Sequence, residues 1–178
     1  MLKLVLDAYP EAIRHTNRRG HLPLHHAATK RSPEFCRMLV ELYPESVRVA
    51  ASGGLPLHYA CSHNTLPTVE YCYKLYPDAV NHAATKGYYP IHWAVTEEMP
   101  KSDKTASIDV VKFLLQLPGV KEQKFEGKSL LYFACNQNYK SSTIEAGIQI
   151  IKGIYDADPK AIEDDNITAS VHRWREEI

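Results

Sequence analysis

The chain has 178 residues, of which 44% are hydrophobic and 24% are charged, so its composition is that of an ordinary globular protein. Its 21 Lys and Arg residues balance its 21 Asp and Glu residues, and bulk charge therefore gives no reason to expect nucleic-acid binding. No apolar stretch approaches the roughly 18 residues that a membrane span requires, and the apolar run at 2–6 is too short for a secretory signal. We therefore expect neither a nucleic-acid partner nor a membrane.

Two sequence motifs recur in step along the chain. The first opens with glycine and closes with alanine, and its copies lie at 20–27, 53–60, 87–94 and 127–134. The second is a proline that follows an apolar segment, at Pro10, Pro44, Pro77, Pro118 and Pro159. Because the two motifs keep the same rhythm over most of the chain, with spacings of 33 to 41 residues, they indicate an internal repeat.

Each repeat predicts two helices. The first helix begins at a motif proline, which suits the first helical turn, and Leu24, Ala27 and Ala28 then recur at helical spacing. The second helix has apolar residues at i, i+3 and i+4 in each repeat: Cys36, Leu39 and Val40; Val69, Cys72 and Tyr73; Val110, Phe113 and Leu114; Ile151, Ile154 and Tyr155. The following proline ends that helix. An apolar residue soon after it should pack back onto the repeats, at Ile13, Val47, Val80 and Ile162. Almost no β-strand is expected.

The spacing between the two motifs locates the irregular repeats. From motif alanine to the next proline the distance is 17 residues in two repeats and then 24 and 25 in the next two. The extra residues therefore lie between the two helices, around 96–107 and 136–143. We predict one domain over 1–178, made of a partial repeat (1–19), four repeats (20–52, 53–86, 87–126 and 127–165) and a terminal helix (166–178). Since the chain opens inside a second helix, we also expect it to be part of a longer array, in which it could be a purely structural segment.

These motifs resemble the ankyrin repeat, whose pattern Gly-x-Thr-Pro-Leu-His-x-Ala opens a helix–turn–helix unit of about 33 residues. The resemblance implies an all-α, slightly curved solenoid in which the first helices line a concave face and short turns, called fingers, project from one edge. The sequence departs from the pattern where Leu22, Leu55 and Tyr89 replace the threonine whose hydroxyl bonds the motif histidine. In the fourth repeat Ser129 keeps a hydroxyl, but Tyr132 replaces the histidine.

Histidine and cysteine are the residues that invite a catalytic interpretation. The resemblance gives the motif histidines His25, His58 and His92 a structural role, bridging backbone groups between finger and helix. Repeats stacked about 10 Å apart would also hold these rings too far from each other to share a zinc ion. The cysteines, Cys36, Cys61, Cys72 and Cys135, lack a CxxC spacing and are typical of reduced core residues, which favours the cytoplasm.

We therefore predict a non-enzyme without cofactor, metal or catalytic residues. The resemblance implies a monomeric protein–protein interaction module or scaffold that presents its concave surface to a protein partner. The alternative is a metal- or cysteine-dependent enzyme on the same scaffold, which would require a reactive thiol with an adjacent base or a set of metal-binding side chains.

In ankyrin repeats, partner contacts come from the fingers and from the exposed side of the first helices. Carried over position by position, the predicted partner-binding residues are Arg18, Arg19, His21, His26, Lys30, Ser52, Tyr59, His63, Lys86, Tyr88, Trp93, Lys128 and Asn136. His26, Tyr59, Trp93 and Phe133 share one motif position, so they form either an exposed stripe of interface anchors or packing between repeats. The basic stretch 14–19 either favours an acidic or phosphorylated partner or is a solvated loop.

Overall fold

The computed structural model describes residues 9–96, 105–140 and 142–164, and over these ranges the chain is a series of helix pairs. The pairs are α1 (Pro23–Lys30) and α2 (Pro33–Leu42), α3 (Pro56–His63) and α4 (Leu66–Leu75), α5 (Pro90–Val95) and α6 (Thr105–Leu115), and α7 (Leu130–Cys135) and α8 (Ile144–Ala157). A short helix, α9 (Ala161–Asp164), follows. The first member of each pair is called the inner helix and the second the outer helix. The described residues contain isolated β-bridges but no strand, so the predicted all-α repeat fold is confirmed.

The inner helices begin with a cap made by the motif histidine. In α1 the Nδ1 atom of His25 accepts a hydrogen bond from the backbone N–H of Leu22 at 3.1 Å, and the His25 N–H donates to the Leu22 carbonyl at 3.0 Å. The same exchange recurs in α3 and α5. Replacement of the family's threonine therefore leaves the histidine half of the cap in place. In α7, where the histidine is missing, Ser129 Oγ accepts from the N–H of Tyr132 at 3.2 Å.

The fingers are tight turns with backbone angles that most residues avoid. Positive φ angles occur in pairs at Ser52–Gly53, Lys86–Gly87 and Glu126–Gly127, as in the two-residue turns that join the arms of a hairpin. The first finger uses another device, because Asn17 Oδ1 accepts from the backbone N–H groups of Arg19 and His21 at 2.9 and 3.0 Å.

Neighbouring fingers are hydrogen-bonded to each other. Ser52 Oγ donates to the Arg19 carbonyl at 3.2 Å, which joins the second finger to the first. The Thr85 N–H donates to the Gly53 carbonyl at 3.3 Å, which joins the third finger to the second. The first three fingers therefore form one continuous edge of the molecule.

The core lies between the helix layers and between repeats. The motif alanines Ala27, Ala60, Ala94 and Ala134 are all buried, as are the four cysteines. Polar side chains also cross between repeats, since Asn64 Nδ2 donates to the carbonyls of Ala28 and Arg31 at 2.9 and 2.8 Å. These carbonyls belong to the end of α1, so the bonds satisfy acceptors that a helix end leaves unpaired.

Two apolar residues near the end of the described chain are not buried as predicted. Tyr155 is 43% exposed, because the buried side of α8 runs through Gly147, Ile150 and Ile154. Ile162 is 36% exposed, and the adjacent Ala161 is buried. In both places the preceding residue, Ile154 or Ala161, is buried like its equivalents in the first two complete repeats, so the register is kept and only the following side chain is exposed.

Parts of the predicted organisation lie outside the described residues. The α7–α8 connection spans 136–143, where the spacing places extra residues, and the ring of Tyr139 packs closely over Gly147 of α8. Residues 97–104 of the α5–α6 connection, residues 1–8 and the predicted terminal helix at 166–178 are outside the described ranges. Within those ranges no helix is long and apolar enough to cross a bilayer.

Candidate functional site

The predicted partner-binding residues divide by exposure into two groups. The exposed residues are Arg18, Arg19, His26, Lys30, Ser52, Lys86, Lys128 and Asn136. The partly buried residues are His21, Tyr59, His63, Tyr88 and Trp93. They lie on the fingers and on the inner helices, and we call this surface the inner face.

An aromatic row connects the first three repeats on the inner face. The ring centroids of His26 and His21 are 5.3 Å apart, those of His21 and Tyr59 are 5.1 Å apart, and those of Tyr59 and Trp93 are 5.2 Å apart. All three pairs meet edge to face, which is a favourable arrangement of such rings. Both interpretations of the stripe therefore apply, since these rings pack between repeats and still keep part of their surface exposed.

Hydrogen bonds hold three rings of the row in place, those of His26, His21 and Tyr59. Tyr59 Oη donates to the Ala51 carbonyl at 2.7 Å, so the Nε2–H of His21 is the donor in its 3.0 Å contact with the same Tyr59 oxygen. Asn17 Nδ2 lies 3.2 Å from His26 Nε2 and donates to it, because Asn17 Oδ1 already accepts from two backbone groups. Burial lowers the pKa of His21, and the nearby His26 and Arg19 lower it further. The row is thus ordered before any partner arrives.

The row also depends on a close backbone approach at the second finger. A side chain at Gly54 would come within 3.2 Å of the Trp93 ring. Glycine at this position therefore lets the indole lie against the finger. The repeat pattern does not predict this contact.

The aromatic residues near the fourth repeat form a separate, closed cluster. Tyr88 stacks on Phe125 with centroids 4.0 Å apart, and Phe133 packs against Phe125 at 5.5 Å. Phe133 is 9% exposed, so it does not continue the row, although it shares the motif position of Tyr59 and Trp93. The sequence interpretation missed Phe125, which comes from the fourth finger and covers Phe133.

Two further predicted residues meet at Tyr132 on the inner helix of the fourth repeat. Lys128 Nζ lies 4.9 Å from the centroid of the Tyr132 ring, and Asn136 Nδ2 donates to the Tyr132 carbonyl at 2.8 Å.

At the other end of the described repeats, His26 and Lys30 border an open groove of about 650 Å³ between α1 and α2. Asn17, which orders the first finger and His26, was also missed, although Asn is typical of such turns.

All three motif histidines accept a backbone hydrogen bond at Nδ1, but only His25 bridges finger and helix. Among the described residues, the buried Nε2 atoms of His58 and His92 have no hydrogen-bond partner. His25 Nε2 donates to the Val49 carbonyl at 3.0 Å, so this side chain bridges finger and helix as the resemblance implied. Burial lowers the pKa of His25, His58 and His92 to about 4 in each case, which keeps the rings neutral at pH 7. Among the described residues, no group of three potential metal-binding side chains comes together.

The cysteines are poorly suited to nucleophilic chemistry. All four are buried, and none of them forms a disulfide. Burial raises the pKa of Cys36 and of Cys135 to about 11, and it raises the pKa of Cys72 well above its usual range. A catalytic thiol needs the opposite shift, because the thiolate is the nucleophile.

Comparison with known families agrees with this architecture. Residues 1–80 match the family model described as ankyrin repeats (3 copies). No curated protein matches the chain. The matched segment contains α1 to α4, and α5 to α8 repeat the same alternation of inner and outer helices. Ankyrin repeats are generally protein–protein interaction modules. Residues 1–80 are thus similar to ankyrin repeats, and the same alternation of helices continues through the helix pairs that follow.

Proposed function

We propose that this chain is a non-enzymatic module that binds a protein partner across its inner face. The observation that carries the proposal is the partly exposed aromatic row formed by His26, His21, Tyr59 and Trp93. Hydrogen bonds order its first three rings, and Trp93 packs against Tyr59. Aromatic side chains are the residues that most often anchor protein interfaces.

The order of the surface supports binding without large rearrangement. The first finger is held by Asn17, and the second and third fingers are bonded to their neighbours. A surface that is already ordered loses little conformational freedom when a partner docks, so more of the contact energy appears as affinity.

Within this interface the residues divide into anchors and a polar rim. Tyr59 and Trp93 form the centre, and the exposed cations and polar groups of the fingers surround them. Tyr88, Lys128 and Asn136 extend the face toward the fourth repeat, where Tyr88 also packs against Phe125. The interface that we propose thus has the arrangement of a hydrophobic centre and a polar border that is common in protein complexes.

The cysteines support the remaining parts of the proposal. All four are buried, and the raised pKa values of Cys36, Cys72 and Cys135 favour a binding role over a cysteine-dependent reaction. Four cysteines without a disulfide in one small domain are typical of a reducing compartment, so we place the module in the cytoplasm. We propose that it acts as a monomer that binds another protein.

Site-specific photo-crosslinking tests which face meets the partner. A photoreactive amino acid is placed singly at His26, Ser52 or Lys86, which are exposed on the inner face. Matched controls carry it at Arg37, Lys74 or Lys112, which are exposed on the outer helices α2, α4 and α6. After irradiation in extract of the source cell, we expect discrete protein adducts from the inner positions and far fewer from the outer ones.

The controls make the outcome decisive. Each variant must retain the circular dichroism and melting temperature of the parent chain, since all six positions are exposed. Adducts that form only from the outer positions, or equally from both faces, would contradict the proposal.

A further inference from the structure

Acidic residues are unevenly distributed over the first three repeats. No Asp or Glu occurs in the segments 12–33, 46–69 and 79–96. These segments contain the first three fingers together with α1, α3 and α5. The acidic residues of the described chain up to 96 lie on the outer helices and on the turns that begin at the Tyr-Pro pairs: Glu11, Glu34, Glu41, Glu45, Glu70 and Asp78.

The finger cations Arg18, Arg19 and Lys86 therefore have no carboxylate in their own finger or in the inner helix that follows it. Between described residues, the ion pairs join Arg14 to Glu11, Arg37 to Glu41 and Lys121 to Glu122. Arg18, Arg19 and Lys86 take part in none of these pairs, and all three side chains are exposed on the finger edge. The chain is neutral as a whole, but this edge is positively charged.

The positions of these cations set the size of a matching ligand. Fingers one, two and three are bonded in sequence, so Arg18 and Arg19 lie two repeats away from Lys86. At about 10 Å per repeat this separation is roughly 20 Å. An extended peptide advances about 3.3 Å per residue, so about six residues would connect the two ends.

We infer that the partner segment bound by the inner face is an acidic peptide, held by Arg18 and Arg19 at one end and by Lys86 at the other. The inference rests on the proposed function and names the chemistry of its partner. Carboxylates can pair with arginine through two parallel hydrogen bonds, and the aromatic row between the cations offers an apolar anchor for an intervening side chain.

An acidic peptide fits this edge better than a nucleic acid does. A nucleic acid carries one charge per nucleotide and usually binds through many phosphate contacts, whereas this edge has three cations. A short acidic segment needs no more positive charge than the edge provides.

Selection from a random peptide library tests the inference directly. Peptides of about 12 residues, twice the required length, are displayed on phage and selected on the immobilised parent chain. The selection is repeated with the triple variant R18E/R19E/K86E and with the matched control K74E/K112E/K152E, which makes the same change in charge on the outer helices. Glu126 already occupies a positive-φ position equivalent to Lys86, so glutamate is compatible with that turn.

We expect the parent chain and the control to enrich peptides rich in Asp and Glu, and the triple variant to lose that enrichment. In fluorescence anisotropy at an ionic strength of about 0.15 M, the best selected peptide should bind the triple variant at least about tenfold more weakly than the parent. Replacing its Asp and Glu by Asn and Gln should weaken binding to the parent by a similar factor.

The possible results separate this inference from the proposed function. Selected peptides that require the inner face but show no excess of Asp or Glu would overturn the acidic partner and leave the proposed function standing. If no peptide is enriched, or if the control variant loses binding instead of the triple variant, both fail. A labelled single-stranded oligonucleotide that binds more tightly than the best peptide would reassign the edge to nucleic acid and overturn the inference.

Discussion

The first three repeats and the fourth cap and cover the inner helix in different ways. In the first three, a buried histidine caps the inner helix, the finger and inner helix lack acidic residues, and partly exposed rings form a continuous row. In the fourth, a serine provides the cap, acidic and basic residues alternate along 121–128, and Phe125 covers Phe133.

This difference shows that a repeat can keep its fold while changing its surface. Ala134 is as fully buried as Ala60, so the packing of the inner helix is retained in both regions. What changes is the exposure of the neighbouring aromatic residue, because Trp93 keeps an open edge and Phe133 does not. The aromatic row therefore ends where the motif loses its histidine.

Lowering the pH should reduce the free energy of unfolding mainly through the first three repeats, because only they contain a motif histidine. This is the largest effect that we predict. His25, His58 and His92 have a folded-state pKa of about 4, below the unfolded value of about 6.5. Their stabilisation is complete above pH 6.5, decreases as the pH falls toward 4 and stays lost at lower pH, because the unfolded chain binds the protons first. Each buried ring can contribute up to about 3 kcal/mol to this loss.

Urea denaturation measured between pH 7 and pH 4.5 checks this prediction. The free energy of unfolding should fall with a slope that approaches about 1.4 kcal/mol per pH unit for each histidine. The variant H58Q should show a shallower slope than the parent chain. Equal slopes for the two proteins would show that protonation of the motif histidines does not control acid stability.

The second and fourth fingers should differ sharply when their glycine is replaced. In Gly53→Ala the new Cβ would overlap the side chain and backbone nitrogen of Thr85, at a position where φ is already +83°. In Gly127→Ala the φ is +77°, but the new Cβ meets nothing within 4 Å among the described residues. We expect a loss of about 3 kcal/mol or more at Gly53 and about 1 kcal/mol at Gly127. Thermal or urea unfolding of both variants measures the difference, and equal losses would mean that the contact between fingers adds nothing.

Enlarging a buried motif alanine tests the feature that the repeats share. Ala60→Leu should destabilise the chain by about 1–3 kcal/mol, since the inner helices pack against one another around this residue. Lys30→Ala changes an exposed side chain and should alter stability by less than about 0.5 kcal/mol. Similar effects in the two variants would show that the buried side of the inner helices has been assigned wrongly.

Much of the fold follows from local signals in the sequence. Pro23, Pro56 and Pro90 begin inner helices because proline suits the first turn, and small alanines recur where helices meet. Burial at the last repeat did not follow from its pattern, since Tyr155 and Ile162 are exposed although Ile154 and Ala161 beside them are buried. Helical spacing predicts which residues share a face, but the packing against neighbouring repeats decides how deeply each one is buried.

The candidate site was predictable in its positions but not in its contacts. The repeat alignment placed Tyr59 and Trp93 at one position, and these rings do meet. It did not predict that Asn17 would fold the first finger so that His21 joins the row, or that Phe125 would close the row before Phe133. Both contacts depend on how a finger folds over its neighbour, which spacing along the chain does not record.

The smallest predicted effect concerns the cap that distinguishes the fourth repeat. Ser129→Ala removes the oxygen that accepts from the Tyr132 N–H, and loss of such a cap costs about 1 kcal/mol. Ser129→Thr keeps an accepting hydroxyl and should cost only a few tenths of a kcal/mol. Urea unfolding of both variants measures the two costs, and a threonine variant as unstable as the alanine variant would contradict the assignment. If the prediction holds, the Ser129 hydroxyl caps the inner helix of the fourth repeat as the motif histidine does in the first three. Because this repeat has no motif histidine, its cap does not lose stability through histidine protonation at low pH.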